Sequence, residues 1–348
     1  VTTRNFAVVK LIHNSPVLFG RGTRVWIVRD KLGLFYVLKD SWINQQDQVS
    51  EIDLIKHVEK YLKEDEDGYL FQHSFPQYYI GQEVVHSTNT VHGFPIDSPG
   101  TRSQRRIVTG AIGDPITSFR SKKEFVSVCL DLVNMLDFLD NKAKVIHGDV
   151  SINNIMINRV LECRENESPS QLRVAASNGA YKPDIKLIAP PSIANQSDSS
   201  SIPSQIDYKG TDEPIEACGM LIDCDFMRLK GNPSHLTSGT LPFMAIEALM
   251  SSPTKPYLPH GRHDLEALLN TILTVCHYTE GPGGELRKHN GDGDKTLKLN
   301  RWFVEVDLVD LAIWKTATLE AFNTFIGLAL PIYWQDFAPY IHRLIEAT

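Results

Sequence analysis

The sequence predicts an α+β protein with a small antiparallel β-sheet and one helix in residues 1–113, followed by a mainly helical part in residues 114–348. Residues 24–29 (RVWIVR) and 34–39 (LFYVLK) are rich in β-branched and aromatic side chains and flank a DKLG turn, which is the pattern of a β-hairpin. Within 47–62 apolar residues recur at helical spacing. An amphipathic helix should therefore pack on this sheet.

Helical signals dominate the second part. Ser121 and Glu124 have the capping-box spacing, which predicts a helix start, and apolar residues at steps of three and four continue that helix to about residue 141. The run 264–276 is apolar on almost every side and predicts a helix buried in the middle of this part. The segment of about 160–218 is rich in Ser and Pro and lacks periodicity. We interpret it as an insertion that is available to bind a partner.

The composition excludes several classes of function. The chain is 42% hydrophobic and 22% charged, as globular proteins are, and no run approaches the roughly 20 apolar residues of a membrane-spanning helix, so no membrane partner is expected. A net charge of -7 gives no basic field for nucleic acid, and the cluster 102–106 (RSQRR) is interpreted as a solvated turn. Five cysteines without a C-x-x-C pair indicate reduced thiols, so we expect an intracellular protein of the cytoplasm or nucleus.

A polar loop between two apolar runs carries the most informative chemical pattern. Residues 145–157 contain His147, Asp149 and Asn154 in the arrangement H-x-D-x-x-x-x-N. An Asp on a loop can accept the proton of an attacking hydroxyl, and an Asn five residues later can turn back to hold a metal ion beside it. The alternative interpretation is a polar loop between two strands that has no role in chemistry.

Further candidate residues lie on both sides of this loop. Asp223 ends a short apolar strand, where it either binds a cation that bridges phosphates or is a solvated carboxylate. Gly20 and Gly22 either begin a phosphate-covering hairpin, with Val25 in place of a third glycine, or simply turn the chain. Alternation along the next strand directs the ammonium of Lys39 to the underside of that hairpin, where phosphates would lie.

The segment 239–247 (GTLPFMAIE) matches the end of a protein-kinase activation segment, and it follows the other motifs in the order found in kinases. The chain therefore resembles a protein kinase, and specifically the fungal-type protein kinase family. The resemblance implies the two-lobe protein-kinase fold, ATP and Mg²⁺ as cofactors, and a protein substrate. The phrases that carry it are GRGTRVW at 20–26, YVLKDSW at 36–42, HGDVSINNIM at 147–156 and LIDCDF at 221–226, and HDLEALL at 263–269 is similar to casein kinase one.

The same resemblance implies a role for each candidate residue. Asp149 would be the base and Lys39 the ligand of the α- and β-phosphates. Glu51 is the best candidate to pair with Lys39, with Glu59 as the alternative. The remaining implied roles are Mg²⁺ binding by Asn154 and Asp223, and covering of the nucleotide by Gly20, Gly22 and Val25.

Two more residues would support the catalytic loop, and three depart from the kinase pattern. Asp264 would bond the backbone of the loop, and Thr240 would brace it, which favours Ser/Thr acceptors. Gly148 replaces an Arg, Ser151 replaces a Lys, and Asp225 replaces the glycine of D-F-G.

Two alternative functions stay open. The His-Gly-Asp triplet and the Ile-Asp-x-Asp phrase also resemble small-molecule phosphotransferases of the aminoglycoside and choline kinase type, which lack the 239–247 segment. A pseudokinase scaffold would account for the partial glycine loop, but it does not account for the presence of Lys39, Asp149, Asn154 and Asp223 together.

Overall fold

The computed structural model describes residues 4–15, 21–44, 49–89, 93, 101–159, 217–231, 239–252, 254, 256–287, 298–305 and 307–348. Gly20 and nearly all of the predicted insertion lie outside these ranges. Residues 217 and 218 are described, and they form the start of a strand. None of the helices in these ranges is long and apolar enough to cross a membrane.

Ten strands and nine α-helices make up the described ranges, and the strands concentrate in the first half of the chain. The strands are β1 (Ala7–Asn14), β2 (Arg24–Arg29), β3 (Phe35–Asn44), β4 (Gln77–Ser87), β5 (Arg102–Gly110), β6 (Asp114–Pro115), β7 (Val145–Ile146), β8 (Ile155–Arg159), β9 (Ala217–Leu221) and β10 (Arg228–Leu229). The helices are α1 (Glu51–Glu64), α2 (Lys122–Phe138), α3 (Ile246–Leu249), α4 (Gly261–Tyr278), α5 (Asn300–Val304), α6 (Leu308–Glu320), α7 (Phe322–Phe325), α8 (Ile332–Gln335) and α9 (Ala338–Ala347).

The N-terminal sheet is antiparallel and has the strand order β1-β2-β3-β5-β4. The β2–β3 hairpin is the one predicted from the DKLG turn. Asp30 Oδ1 closes that turn by accepting from the backbone N–H groups of Leu32 and Leu34 at 2.8 and 2.9 Å. An antiparallel sheet followed by a helical part agrees with the predicted class of fold.

The basic cluster 102–106 is not a solvated turn, so that interpretation was wrong. It forms the first half of β5, which lies between β3 and β4, and the Arg105 side chain is buried. A buried guanidinium is tolerated only where carboxylates compensate its charge. Here Glu51 and Glu83 supply that charge from α1 and β4, both distant in sequence.

The helix α1 packs on the sheet, as its periodicity predicts, and it begins at Glu51. Ser50 is its N-cap, and the Ser50 hydroxyl accepts from the N–H of Ile52 at 3.2 Å, which satisfies one of the free backbone donors at the helix start. The side chains of Ile52, Ile55 and Val58 fall on one face and are buried. This face places the neighbouring Glu51 side chain in the interior as well.

The helical part is built around α2 and α4. Ser121 caps α2 by accepting from the N–H of Glu124 at 3.1 Å, and the α2 helix ends in a single wider turn at residues 139–143. Helix α4 is buried along almost its whole length, which explains why its sequence is apolar on nearly every side. Strands β8 and β9 pair antiparallel and bring the loops at 147–154 and 222–226 together.

Candidate active site

The loop 147–154 connects β7 to β8 and is held by α4. Asp264, in the first turn of α4, accepts from the backbone N–H groups of His147 at 2.7 Å and Gly148 at 2.9 Å, as the resemblance implies. The buried His147 ring lies 3.2 Å from the carbonyl of Ile222, so the loop is also tied to the end of β9. Burial raises the pKa of Asp264 to about 6, against the opposing effect of these backbone bonds.

Asp149 lies at the centre of this loop with both of its carboxylate oxygens bonded. Oδ1 accepts from the backbone N–H and the hydroxyl of Thr240, both at 2.8 Å, and Oδ2 accepts from the amide of Asn154 at 2.8 Å. Burial raises the pKa of Asp149 to about 6, although the bonds from Thr240 and Asn154 favour the charged form. A carboxylate with this pKa can take up a proton near neutral pH, as a general base must.

A second cluster surrounds Lys39 on β3. Its Nζ lies 3.0 Å from Glu51 Oε1, 2.6 Å from Asp223 Oδ1 and 2.8 Å from Asp225 Oδ2. Burial alone would lower the pKa of Lys39, but the carboxylates of Asp223, Glu51 and Asp225 together hold it well above its usual value. Glu59, the alternative partner of Lys39, instead accepts from the backbone N–H of Tyr78.

The two most buried carboxyls of this cluster have opposite pKa shifts. Burial, together with the charge of the neighbouring Asp225, raises the pKa of Glu51 to about 8, although Lys39 opposes this rise. Burial alone would raise the pKa of Asp225 as well, but Lys39 and Arg21 hold it well below its usual range. The charged form is therefore favoured more strongly at Asp225 than at Glu51.

Two arginines complete the cluster, and sequence reasoning assigned no role to either. Arg21 Nη1 lies 2.8 Å from Asp225 Oδ2, and the Arg21 guanidinium lies 4.0 Å from the centre of the Phe226 ring. Arg105 Nη1 lies 3.7 Å from Glu51 Oε2 and 4.0 Å from Asp225 Oδ1. Three cations thus face three carboxylates, and the sequence signal was the extra Asp at the glycine position of D-F-G.

A cavity of about 370 Å³ opens beside Lys39. The polar residues that line it include Lys39, Glu51, Asp223 and Asn154. Its walls are apolar, as is usual in sites that bind small molecules, and they include Val25, Val37, Ile107, Met156 and Met220. Three residues were predicted to cover the nucleotide. Of these, Val25 lines the cavity, Gly22 does not, and Gly20 lies outside the described residues.

The donors near Asp223 suit a hard divalent cation. The Asp223 carboxylate is 32% exposed, and the Asn154 amide bonds Asp149 through its nitrogen, which leaves an amide oxygen as a further donor. Carboxylate and amide oxygens are the ligands that Mg²⁺ prefers. The backbone N–H of Ile222 donates to the backbone carbonyl of Asn154 at 2.9 Å. The two candidate ligands, Asn154 and Asp223, therefore lie on adjoining segments.

Gly148 stands where kinases carry an arginine, and the backbone explains why no side chain is found there. Its φ is +77°, and a Cβ at this position would lie 2.8 Å from the carbonyl oxygen of Phe226. The guanidinium of Arg228 occupies the space beyond, with Nη2 3.6 Å from the same point. The positive charge near this part of the loop therefore comes from β10.

The comparisons agree with this geometry. No curated protein matches the chain at a significant level. A protein-family model described as fungal protein kinase matches residues 1–67 and 66–276, a span that contains Lys39, Asp149, Asn154 and Asp223. Because this match covers most of the sequence, the chain belongs to the fungal protein kinase family.

Proposed function

We propose that the protein is an ATP- and Mg²⁺-dependent protein kinase that transfers the γ-phosphate of ATP to Ser or Thr hydroxyls. The observation that carries the proposal is the position of Asp149. Its carboxylate is held by Thr240 and Asn154, and Asn154 also lines the cavity that Lys39 and Asp223 line. Membership of the family supports phosphotransfer to proteins.

The residues divide the work of transfer between the phosphates and the acceptor. Lys39 would bind the α- and β-phosphates, which would take the place of at least one of the carboxylates now around its Nζ. Asp149 would accept the proton of the acceptor hydroxyl. Asn154 and Asp223 would hold Mg²⁺, which neutralises phosphate charge when it is bound.

Further parts of the proposal concern the fold and the partners. The sheet and the helical part would form the two lobes of a kinase, with the nucleotide in the cavity between them. A partner of the insertion at about 160–218 and a location in the cytoplasm or nucleus stay predictions. Pull-down with the insertion deleted would test the first, and microscopy of the tagged protein the second.

Transfer from γ-labelled ATP tests the proposal. The protein should label Ser or Thr in a mixed protein extract only when Mg²⁺ is present, and it should leave a panel of amino alcohols and aminoglycosides unlabelled. Asp149→Asn should keep nucleotide affinity and lose transfer, whereas Asp223→Asn should lose Mg²⁺-dependent nucleotide binding.

Three other results would contradict the proposal, and the first two would each indicate a different function. Labelling of small metabolites alone would indicate a small-molecule phosphotransferase. Nucleotide binding without any transfer would indicate a pseudokinase. Loss of nucleotide binding to the same extent in both variants would contradict the division of roles between Asp149 and Asp223.

A further inference from the structure

A lysine on α6 is completely buried and serves none of the roles described above. Lys315 is 0% exposed, and its Nζ donates to the backbone carbonyls of Pro242, at 3.2 Å, and Met244. In the described part of the chain no carboxylate lies within ion-pair distance of it, and its Nζ lies 5.2 Å from the centre of the Trp302 ring. Burial lowers its pKa to about 7, with Glu266 opposing the shift. A neutral amine keeps two N–H donors, one for each of these carbonyls.

The segment that Lys315 contacts, residues 240–246, is held by hydrogen bonds to its backbone carbonyls at three successive residues. Between the two carbonyls bonded by Lys315, the carbonyl of Phe243 accepts from the side-chain amide of Asn270 on α4 at 3.1 Å. The N–H groups of Phe243 and Met244 bond inside the turn itself. Three consecutive carbonyls therefore point into the protein and bond to side chains of α4 and α6.

This segment borders Asp149 and does not line the cavity beside Lys39. Thr240, at its start, donates twice to Asp149 Oδ1. A recess of about 30 Å³ is lined by Asp149 together with Thr240, Met244 and Ala245. None of residues 239–245 lines the larger cavity beside Lys39. The segment is thus placed to meet the molecule that brings a hydroxyl to Asp149.

We propose that Lys315 is a positioning residue for the protein acceptor, because it fixes the 240–246 segment against which the chain carrying the acceptor hydroxyl docks. The proposal rests on the proposed function and deepens it. It assigns acceptor binding, separately from nucleotide binding, to a contact between α6 and this segment. Lys315 itself touches neither substrate.

Kinetics of Lys315→Met provide the first test. Methionine has a similar length and no donor, so two buried carbonyls lose their partner. The KM for a protein acceptor should rise at least tenfold. The affinity for ATP should stay within about threefold of the wild type, because it depends on the cavity beside Lys39.

Thr318→Val is the matched control. Thr318 lies one turn further along α6, is 3% exposed, and its hydroxyl bonds the carbonyl of Trp314 within the same helix. This variant loses a buried hydrogen bond without affecting the segment, so its acceptor KM should equal that of the wild type. A rise in both variants would show that instability alone moves KM, and it would overturn the proposal.

Hydrogen exchange gives a readout that does not depend on activity. The amides of residues 241–246 should exchange faster in Lys315→Met than in Thr318→Val, while those of 147–154 stay protected. If Lys315→Met does not fold, Lys315→Gln replaces it, because its neutral amide keeps two N–H donors and places no uncompensated charge in the core, and its acceptor KM should stay near that of the wild type. A tenfold higher value would overturn the proposal.

Different results would contradict the proposed function and the proposed role of Lys315. A wild-type protein that labels no protein acceptor would contradict the proposed function. An active wild type whose Lys315→Met variant has unchanged acceptor KM, or unchanged exchange at 241–246, would overturn the role of Lys315 alone.

Discussion

At the scale of single residues, the two oxygens of Asp149 have separate partners. Thr240 bonds Oδ1 twice, and Asn154 bonds Oδ2, so the carboxylate cannot rotate without losing one set of bonds. These bonds favour the charged form, whereas burial favours the neutral form, and burial is the larger effect. The result is a candidate base whose protonation changes just below neutral pH.

The pH profile of transfer should report this carboxyl. Because the pKa of Asp149 is raised to about 6, kcat/KM for the acceptor should fall as the pH drops through about 6, where the carboxyl becomes protonated and can no longer accept a proton. Thr240→Val removes one bond to the charged form, so the inflection should move up by about one pH unit. Steady-state rates between pH 5 and 8 would measure both.

Thr271→Val is the control for that profile. The buried Thr271 hydroxyl bonds the carbonyl of Ala267 within α4 and makes no bond to Asp149, so the inflection of this variant should stay where the wild type has it. An inflection that does not move in Thr240→Val would contradict the assignment of the profile to Asp149.

Lys39 is the second residue whose removal has a defined outcome. Lys39→Met deletes the ammonium that would bind the phosphates, and loss of a preorganised charge of this kind typically lowers the rate by about a hundredfold to a thousandfold. Folding should persist, because Arg21 and Arg105 still contact Asp225 and Glu51, and the Asp223 side chain is 32% exposed to solvent. Circular dichroism would check the fold, and single-turnover transfer would check the rate.

Lys31→Met provides the comparison for Lys39. Lys31 lies in the exposed turn of the β2–β3 hairpin of the same sheet, so its replacement should leave transfer unchanged. Full transfer by a folded Lys39→Met variant would exclude the assigned role of Lys39.

At the scale of elements, the loop at 147–154 depends on neighbours from two other segments, α4 and residues 222–226. Asp264 of α4 holds its first N–H groups, Ile222 at the end of β9 receives the His147 ring, and the carbonyl of Phe226 lies against Gly148. The space at residue 148 is therefore closed by backbone. An arginine at this position would need the 222–226 segment to move.

Gly148→Ala should lower the free energy of unfolding for that reason. A left-handed backbone costs a non-glycine residue about 1 to 3 kcal/mol, and the contact with the Phe226 carbonyl adds to this loss. Gly148→Arg, which restores the residue found in kinases, should lower both stability and transfer. Urea denaturation would measure the free energy of unfolding.

Gly231→Ala is the control that measures the effect of a left-handed backbone without the contact to a carbonyl. The φ of Gly231 is +95°, and nothing lies within 4 Å of a Cβ placed there, so Gly231→Ala pays only for backbone conformation. The free energy lost in Gly148→Ala should clearly exceed that lost in Gly231→Ala. Equal losses would mean that the Phe226 carbonyl moves aside freely.

At the scale of the whole molecule, the sequence predicts the parts that depend on local pattern. The β2–β3 hairpin, α1, α2 and α4 follow from turn chemistry, capping and periodicity. Strands β1, β4 and β5 were not predicted. β1 is an edge strand with mostly exposed residues, and the first half of β5 is basic, so neither shows the alternation of a half-buried strand.

The candidate site shows the same limit. Lys39, Asp149, Asn154 and Asp223 were recognisable because their spacing and order are characteristic. The contact of Arg21 with Asp225 joins residues 204 positions apart, and that of Lys39 with Asp223 joins residues 184 apart. No local pattern encodes such pairs, so the roles of Arg21 and Arg105 emerge only from the fold.

The burial of Lys315 should make the stability of the whole protein depend on pH. Its pKa is lowered from 10.5 to about 7 in the folded state, so between these values the unfolded chain binds more protons than the native one. Stability therefore rises with pH across this window, by at most about 1.4 kcal/mol per pH unit from this group.

Lys315→Met has no such group, so the free energy of unfolding of the wild type should increase relative to that of the variant from pH 7 to pH 10. The raised pKa of Glu51 acts in the opposite direction up to about pH 8, but it is present in both proteins and cancels in the difference. Urea denaturation at each pH would measure that difference, and Thr318→Val should follow the wild type. A difference that stays constant with pH would mean that Lys315 remains fully charged in the folded core.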